Sequence, residues 1–88
     1  MLKLKKTVRQ MLAEANAEIE TVSAADALKL NADPGLVFVD IRDIRELDRD
    51  GRIPGAFHAP RGMLEFWVDP DSPYHKEIFA SGKKFLFF

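Results

Sequence analysis

Residues 36–42, with the sequence LVFVDIR, decide the fold of this chain. The first four residues of this stretch are continuously apolar and rich in β-branched and aromatic side chains, and the run is too short for a buried helix. Such a run is typical of a strand that is buried on both faces, as in a parallel sheet. The strand should end at Asp40, which places a carboxylate at the edge where open α/β sheets bind ligands.

Helix and turn signals lie on both sides of this strand. Ser23 is a suitable N-cap for a helix over residues 24–30. Residues 31–35, with the sequence NADPG, form a turn because proline fixes φ and glycine tolerates a positive φ. After the strand, Asp43 can cap a helix over residues 44–49. The strand is therefore flanked by a helix on each side along the chain.

The second half of the chain continues the alternation of strands and helices. The predicted elements are a loop over 50–55, a short strand over 56–59, a helix over 62–68, a break over 69–73, a short helix over 74–80 and a buried strand over 83–88. A short extended segment is also predicted over 20–22. This alternation predicts an α/β fold with a mostly parallel sheet and flanking helices.

The N-terminal segment is predicted to be a separate amphipathic helix over residues 1–19. Its apolar residues follow the helical repeat of 3.6 residues: Leu4, Val8, Met11, Leu12, Ala15 and Ile19. Such a helix can pack on its own domain or form a homodimer with a second copy. A helix lying on a membrane surface is the alternative, which is weakened because glutamates share the polar face with the lysines.

Composition excludes several classes of protein. With 88 residues the chain makes one domain at most, and its net charge of −1 gives no basic face for nucleic acid or for a membrane surface. No apolar run is long enough to span a bilayer, and no signal peptide is evident, so we expect a cytoplasmic protein. The chain has no cysteine, which excludes a disulfide scaffold, a thiolate zinc site and a cysteine nucleophile among these residues.

The last predicted strand has no continuation. Residues 83–88, with the sequence KKFLFF, close the chain on large apolar side chains. A parallel strand normally leads into a crossover connection, and a bare apolar strand favours aggregation. We therefore expect the sequence to be the first part of a longer domain.

The residues alone leave the role of Asp40 open. It can be the ion-pair partner of Arg42, Arg45 or Arg52, since buried carboxylates need partners. It can also be a phosphoryl acceptor, as in receiver-like domains, although that role needs further acids to hold magnesium. The two histidines have no close-spaced partner that would anchor zinc, so no metal site is expected.

Two motifs resemble those of the rhodanese-like family. Residues 39–46 read VDIRDIRE, and residues 51–60 read GRIPGAFHAP. The family shows a strand that ends in Asp-x-Arg, a helix with a glutamate, and then a Gly-His-Ile-Pro-Gly-Ala loop. Arg52 stands where the family more commonly has histidine. The resemblance covers residues 19–88 and leaves the N-terminal helix outside as an extension.

The resemblance implies sulfur transfer through a cysteine persulfide. In the family, the strand that corresponds to residues 84–88 leads into a loop that begins with the catalytic cysteine, so this cysteine is expected just after Phe88. The implied partners are a small anionic sulfur donor, such as thiosulfate, and a thiophilic acceptor. No cofactor is implied. The alternative is a rhodanese-like module without catalytic activity that serves binding or regulation.

The resemblance also assigns roles to residues of this chain. Asp40 and Arg42 are expected to support the active site at the end of the strand. His58, Arg61 and Glu65 are expected at the rim of the site, where a positive or proton-bearing group meets the anionic donor. The catalytic nucleophile itself is not among these residues.

Overall fold

Regular secondary structure begins at Val8 in the computed structural model, which describes residues 3–88. In chain order the elements are α1 (Val8–Glu18), α2 (Ala24–Leu30), β1 (Leu36–Asp40), α3 (Ile44–Asp50), β2 (Phe57–His58), α4 (Arg61–Val68), a 3₁₀ helix (Glu77–Ala80) and β3 (Lys84–Phe87). Strands and helices alternate from α2 onward, and this confirms the predicted α/β class.

The three strands form one parallel sheet with β1 in the centre, in the order β2-β1-β3. Val39 of β1 is in register with Phe57 on one side and with Phe87 on the other. Phe38, Val39 and Asp40 are consecutive and all buried, so the end of β1 is covered on both faces. The predicted parallel sheet around β1 is therefore confirmed.

Four buried apolar side chains form the core, and aromatic rings extend it. The core residues are Phe38, Val39, Leu47 and Ala59. The ring of Phe57 packs edge-on against Trp67 and Phe79, with centroids 6.0 and 5.8 Å apart. The ring centroids of Phe79 and Phe85, a residue of β3, are 5.3 Å apart. These rings join α4 and the 3₁₀ helix to the outer strands, where they contribute burial beyond the small core.

The helix predicted over residues 74–80 is wrong in its first half, because only Glu77–Ala80 is helical and it forms a 3₁₀ turn. The backbone groups before it bond elsewhere. The Ser72 hydroxyl accepts from the Tyr74 N–H at 3.1 Å, and Lys76 N–H donates to the Trp67 carbonyl oxygen at 2.9 Å. The bond from Lys76 attaches the segment to α4, and Lys76 itself has extended backbone with φ −111° and ψ 129°, so no helix runs through residues 74–80.

The predicted strands are shorter and less buried than expected. The strand predicted over residues 56–59 is only the two-residue β2, and the strand predicted over 83–88 is the four-residue β3. Within the described part of the chain, β3 pairs on one side with β1, and Phe87 remains 46% exposed. Among residues 3–88, β3 therefore lies at the edge of the sheet, and its side chains are only partly buried.

The N-terminal helix is shorter than the predicted range of 1–19. It begins at Val8 because a capping box fixes its start: the Thr7 hydroxyl accepts from the Gln10 N–H at 3.2 Å, and the Gln10 side chain accepts from the Thr7 N–H at 2.7 Å. Leu4 therefore precedes the helix, and residues 1 and 2 of the predicted range lie outside the described residues. Residues 20–22, predicted to be extended, belong to no helix or strand, and the backbone is extended at Ile19 and Ser23 on either side.

Candidate functional site

The carboxyl ends of the three strands meet at one edge of the sheet, where backbone hydrogen bonds join them. The Ala59 N–H donates to the Asp40 carbonyl oxygen at 2.8 Å. On the other side, the Phe88 N–H donates to the Val39 carbonyl oxygen at 3.0 Å, and the Ile41 N–H donates to the Phe88 carbonyl oxygen at 2.9 Å. Since ligands bind at this edge in open α/β sheets, the residues that follow β1, β2 and β3 define the candidate site.

Asp40 is a buried carboxylate that Arg42 neutralises. Arg42 Nη2 lies 2.7 Å from Asp40 Oδ2, and Arg42 Nε donates to Asp40 Oδ1 at 3.0 Å. The Arg42 backbone N–H also donates to Oδ1 at 3.0 Å, and Nε makes a longer contact to Oδ2 at 3.2 Å. These hydrogen bonds from Arg42 hold the pKa of the Asp40 carboxyl below its usual range, against the opposing effect of burial. Asp40 is therefore ionised at neutral pH.

Arg42 also connects the end of β1 to the end of α3. Its Nη2 donates to the Gly51 carbonyl oxygen at 3.0 Å. Gly51 closes α3 with a φ of 91°, a left-handed conformation that glycine adopts without a steric penalty. We call Asp40, Arg42 and the Gly51 carbonyl the strand-end brace. This set identifies the partner of Asp40, since Arg45 pairs with Asp43 instead.

The brace also decides against Asp40 as a phosphoryl acceptor. The side chain is 1% exposed, and both carboxylate oxygens accept hydrogen bonds from Arg42. A phosphoryl acceptor must instead present a free oxygen to its donor. In this structure Asp40 anchors the end of β1 through Arg42, and the support of an active site that the resemblance implies stays a prediction.

His58 positions the backbone of the same turn. It is the last residue of β2, in register with Asp40, and its Nε2 lies 2.8 Å from the Arg42 carbonyl oxygen. A carbonyl oxygen only accepts, so Nε2 must carry the proton in this contact. His58 therefore donates a hydrogen bond to the carbonyl of Arg42, while Asp40 accepts hydrogen bonds from the backbone N–H and the guanidinium of Arg42. The start of the loop after β1 is thus bonded to both β1 and β2.

An open depression of about 590 Å³ lies beside this brace. It is lined by Ile41, Arg42, Asp43, Glu46, Pro60, Arg61 and Gly62. α4 begins at the same place, and its N-cap, Pro60, contributes no side-chain hydrogen bond. The first N–H groups of a helix have no partner within the helix. The depression thus combines the N-terminal end of α4 with side chains of both charge signs.

The structure places the three predicted rim residues differently from one another. Arg61 lines the depression, whereas His58 lines a separate, smaller cavity of about 260 Å³. Glu65 is exposed one turn further along α4 and is not among the lining residues. Sequence reasoning missed Asp43 and Glu46, which line the depression from α3. Their positions at the N-cap and first turn of α3, directly after the strand, were the available signal.

Two further properties of the described residues bear on the site. Among residues 3–88, no three histidine, aspartate or glutamate side chains are grouped so that they could hold a metal ion. Within that same range, no helix has the length and apolar character needed to cross a membrane. Arg45 lowers the pKa of the Asp43 carboxyl, so this lining group is also negatively charged at neutral pH.

Comparisons with known proteins agree with this geometry. The family model of the rhodanese-like domain matches residues 23–88. A solved structure from Rhodopseudomonas palustris CGA009, of a protein of unknown function described as a possible tyrosine phosphatase, is 51% identical with a TM-score of 0.93. The alignment covers 100% of this chain and 68% of that chain. No curated protein matches the chain. Because the family model matches most of the chain, from residue 23 to residue 88, this chain belongs to the rhodanese-like domain family.

Proposed function

We propose that this chain belongs to a sulfurtransferase that moves sulfane sulfur from thiosulfate or a similar anion, through a persulfide on a cysteine just after Phe88. The observation that supports this proposal is the attachment of Phe88 to the strand-end brace. Its backbone N–H and carbonyl bond to Val39 and Ile41, on either side of Asp40. We therefore expect a residue that follows Phe88 to leave the sheet near Arg42, on the side of the depression.

The proposed reaction is a double displacement at sulfur. A cysteine thiolate attacks the outer sulfur of thiosulfate; a new S–S bond forms, the old S–S bond breaks, and sulfite leaves with its electron pair. Cyanide or another thiophile then takes the outer sulfur from the persulfide as thiocyanate or its equivalent, and the thiolate returns. No net oxidant or reductant is required, because sulfur is passed between two nucleophiles.

The residues of this chain would position the reaction and attract its substrate. Asp40, Arg42 and His58 hold the loop after β1 rigid, so the neighbouring strand end has a fixed direction. Arg61 and the N-terminal end of α4 supply positive potential for an anionic donor. Arg42 is already paired with Asp40, so Arg61 is the side chain that we expect to meet the donor.

A second candidate is phosphate ester hydrolysis, favoured by the description of the R. palustris protein as a possible tyrosine phosphatase. The same edge and the same helix end would then bind a phosphate group. Asp43 and Glu46 line the depression and oppose a phosphate dianion with two negative charges. These two charges oppose thiosulfate as well, so the charge of the depression does not distinguish the two reactions. A third candidate is a rhodanese-like module that binds a partner without catalysis.

The test is to express the coding sequence through and beyond Phe88 and to assay both reactions. We expect thiocyanate to form from thiosulfate and cyanide, and the activity to vanish when the expected cysteine is replaced by serine. Hydrolysis of p-nitrophenyl phosphate without thiocyanate would favour the phosphatase instead. A different residue after Phe88, with neither activity, would favour the binding module. The 88-residue chain, which has no thiol, should form no thiocyanate and serves as the blank.

The role of Arg61 has its own test in the active protein. The substitution Arg61→Ala should raise KM for thiosulfate roughly tenfold with kcat within about twofold, because binding energy is lost without a change in the reacting atoms. The matched control is Arg49→Ala, an exposed arginine on α3 that pairs with Asp50. Equal KM values for the two variants would show that Arg61 does not bind the sulfur donor.

A further inference from the structure

The N-terminal segment presents an apolar surface that the rest of the chain does not cover. Every residue from 3 to 21 is exposed, and no residue of α1 is buried. Within this segment Val8, Met11, Leu12 and Ile19 are between 50% and 65% exposed, and with Ala15 they lie on one side of the helix. We call these five residues the α1 stripe. Soluble proteins rarely leave such a continuous stripe uncovered.

Charges along this segment are separated by position. The basic side chains precede or begin the helix: Lys3, Lys5, Lys6 and Arg9. The acidic side chains are in its second half or just after it: Glu14, Glu18 and Glu20. One attraction between the two groups already exists, since Lys6 Nζ lies 2.7 Å from Glu14 Oε2 while both side chains remain at least half exposed. The segment thus has a basic end and an acidic end.

We propose that the α1 stripe binds a second copy of this chain, with the two α1 helices antiparallel. A two-fold axis makes an interface self-complementary, so each surface patch must fit its own copy. In the antiparallel arrangement, the basic end of one helix lies beside the acidic end of the other, twice over. The parallel arrangement would instead place like charges together at both ends. The charge pattern therefore selects a second copy, and it also selects its direction.

The size of the stripe sets the strength of this dimer. A stable interface buries roughly 800 Å² on each partner. Five apolar side chains on a helix of 11 residues supply only part of that area. The dimer should accordingly be weak, with a dissociation constant on the order of tens of micromolar, and should weaken further in high salt because its end contacts are exposed ion pairs.

Sedimentation equilibrium of the protein expressed through and beyond Phe88 tests the dimer, because residues that follow Phe88 and cover the stripe would keep that protein monomeric. From about 10 µM to about 1 mM, we expect the weight-average mass to rise from monomer toward dimer. The variant Leu12→Glu, which places a charge within the stripe, should remain monomeric over the same range. The matched variant Ala17→Glu adds the same charge on the opposite side of α1 and should dimerise like the wild type. A wild-type protein that stays monomeric at every concentration would overturn the proposal. Equal loss of dimerisation in Leu12→Glu and Ala17→Glu would also overturn it.

Disulfide cross-linking tests the direction. Because the chain has no cysteine, single introduced cysteines report unambiguous contacts. Val8→Cys and Ile19→Cys lie at opposite ends of the stripe, so under mild oxidation a mixture of the two variants should give the mixed disulfide. Each variant alone should cross-link poorly. Efficient cross-linking of Val8→Cys with itself would show a parallel pair and would contradict the proposed arrangement.

Discussion

At the carboxyl edge of the sheet, Asp40 is 1% exposed and its carboxylate accepts four hydrogen bonds from Arg42, whereas residues 3–21 are exposed throughout. Both regions contain an ion pair: Asp40 and Arg42 are two residues apart, and Lys6 and Glu14 are eight residues apart. The pair at the edge is buried and tied to α3 through Gly51; the Lys6–Glu14 pair of the N-terminal segment is in water. The burial of an ion pair, rather than the distance between its atoms, therefore decides what the pair contributes to stability.

The difference also separates two kinds of role. A side chain that burial and several hydrogen bonds restrain can hold a neighbouring loop in place, and this is the role that we propose for the strand-end brace. A segment that the fold does not restrain contributes little to the stability of the domain, but it is free to bind another molecule. The substitutions below test this contrast in order of decreasing expected effect.

The largest difference should come from the same substitution in the two regions. Leu47→Ala removes a side chain that is 3% exposed in the core beneath the brace, and should lower the free energy of unfolding by about 2–5 kcal/mol. Leu12→Ala removes one that is 58% exposed on α1, and should change it by less than about 0.5 kcal/mol. Urea unfolding at a protein concentration where the chain is monomeric measures both. Equal losses would contradict the contrast between the regions.

The second test compares two Asp-x-Arg pairs that have the same spacing. Arg42→Ala leaves the buried Asp40 carboxylate without its guanidinium, and should shift the urea midpoint markedly downward. Arg45→Ala breaks the pair with Asp43, in which the arginine side chain is 87% exposed, and should shift the midpoint little. A midpoint in Arg42→Ala that matches that of Arg45→Ala would show that the brace is not a structural constraint.

The pH dependence of stability should follow the charge of Asp40. Its folded-state pKa is lowered below the unfolded value of 3.8, so its stabilising contribution is present above that value and is lost as the pH falls toward the folded-state pKa. Urea midpoints should therefore fall as the pH decreases from about 5 to about 3. Asp40→Asn should show a flatter profile over that window. Asp43→Asn, at an exposed carboxyl, is the control, and a wild-type profile in Asp40→Asn would contradict the assignment.

The smallest effect on the domain should come from the start of α1. Thr7→Ala removes the side-chain oxygen that caps the helix, a change that costs a helix about 1 kcal/mol. Because no residue of α1 is buried, we expect lower helicity by circular dichroism with an unchanged urea midpoint for the core. Ser23→Ala provides the comparison at α2, where the same kind of cap is lost. A clear fall of the midpoint in Thr7→Ala would show that α1 is coupled to the core.

Local signals in the sequence predicted much of this arrangement. The apolar run of residues 36–39 predicted β1, Ser23 and Asp43 predicted the starts of α2 and α3, and the Asp-x-Arg spacing made Arg42 one of the candidate partners of Asp40. Each of these signals acts over two to four residues, so the chain itself specifies them. The helix predicted over residues 74–80 is interrupted at Lys76, whose backbone is extended and bonds to Trp67 of α4, a contact with no local signal.

By itself, the sequence determined the strand-and-helix alternation, the caps and the type of side chain that ends β1, because these depend on contacts between near neighbours in the chain. Only the tertiary structure decided that Arg42 rather than Arg52 neutralises Asp40, that Arg61 but not Glu65 lines the depression, and that none of the residues 3–88 covers the α1 stripe. Those outcomes depend on which strands become neighbours and on where each helix begins relative to the sheet edge. The physical reason is that burial and long-range hydrogen bonds join residues whose separation along the chain carries no local signal.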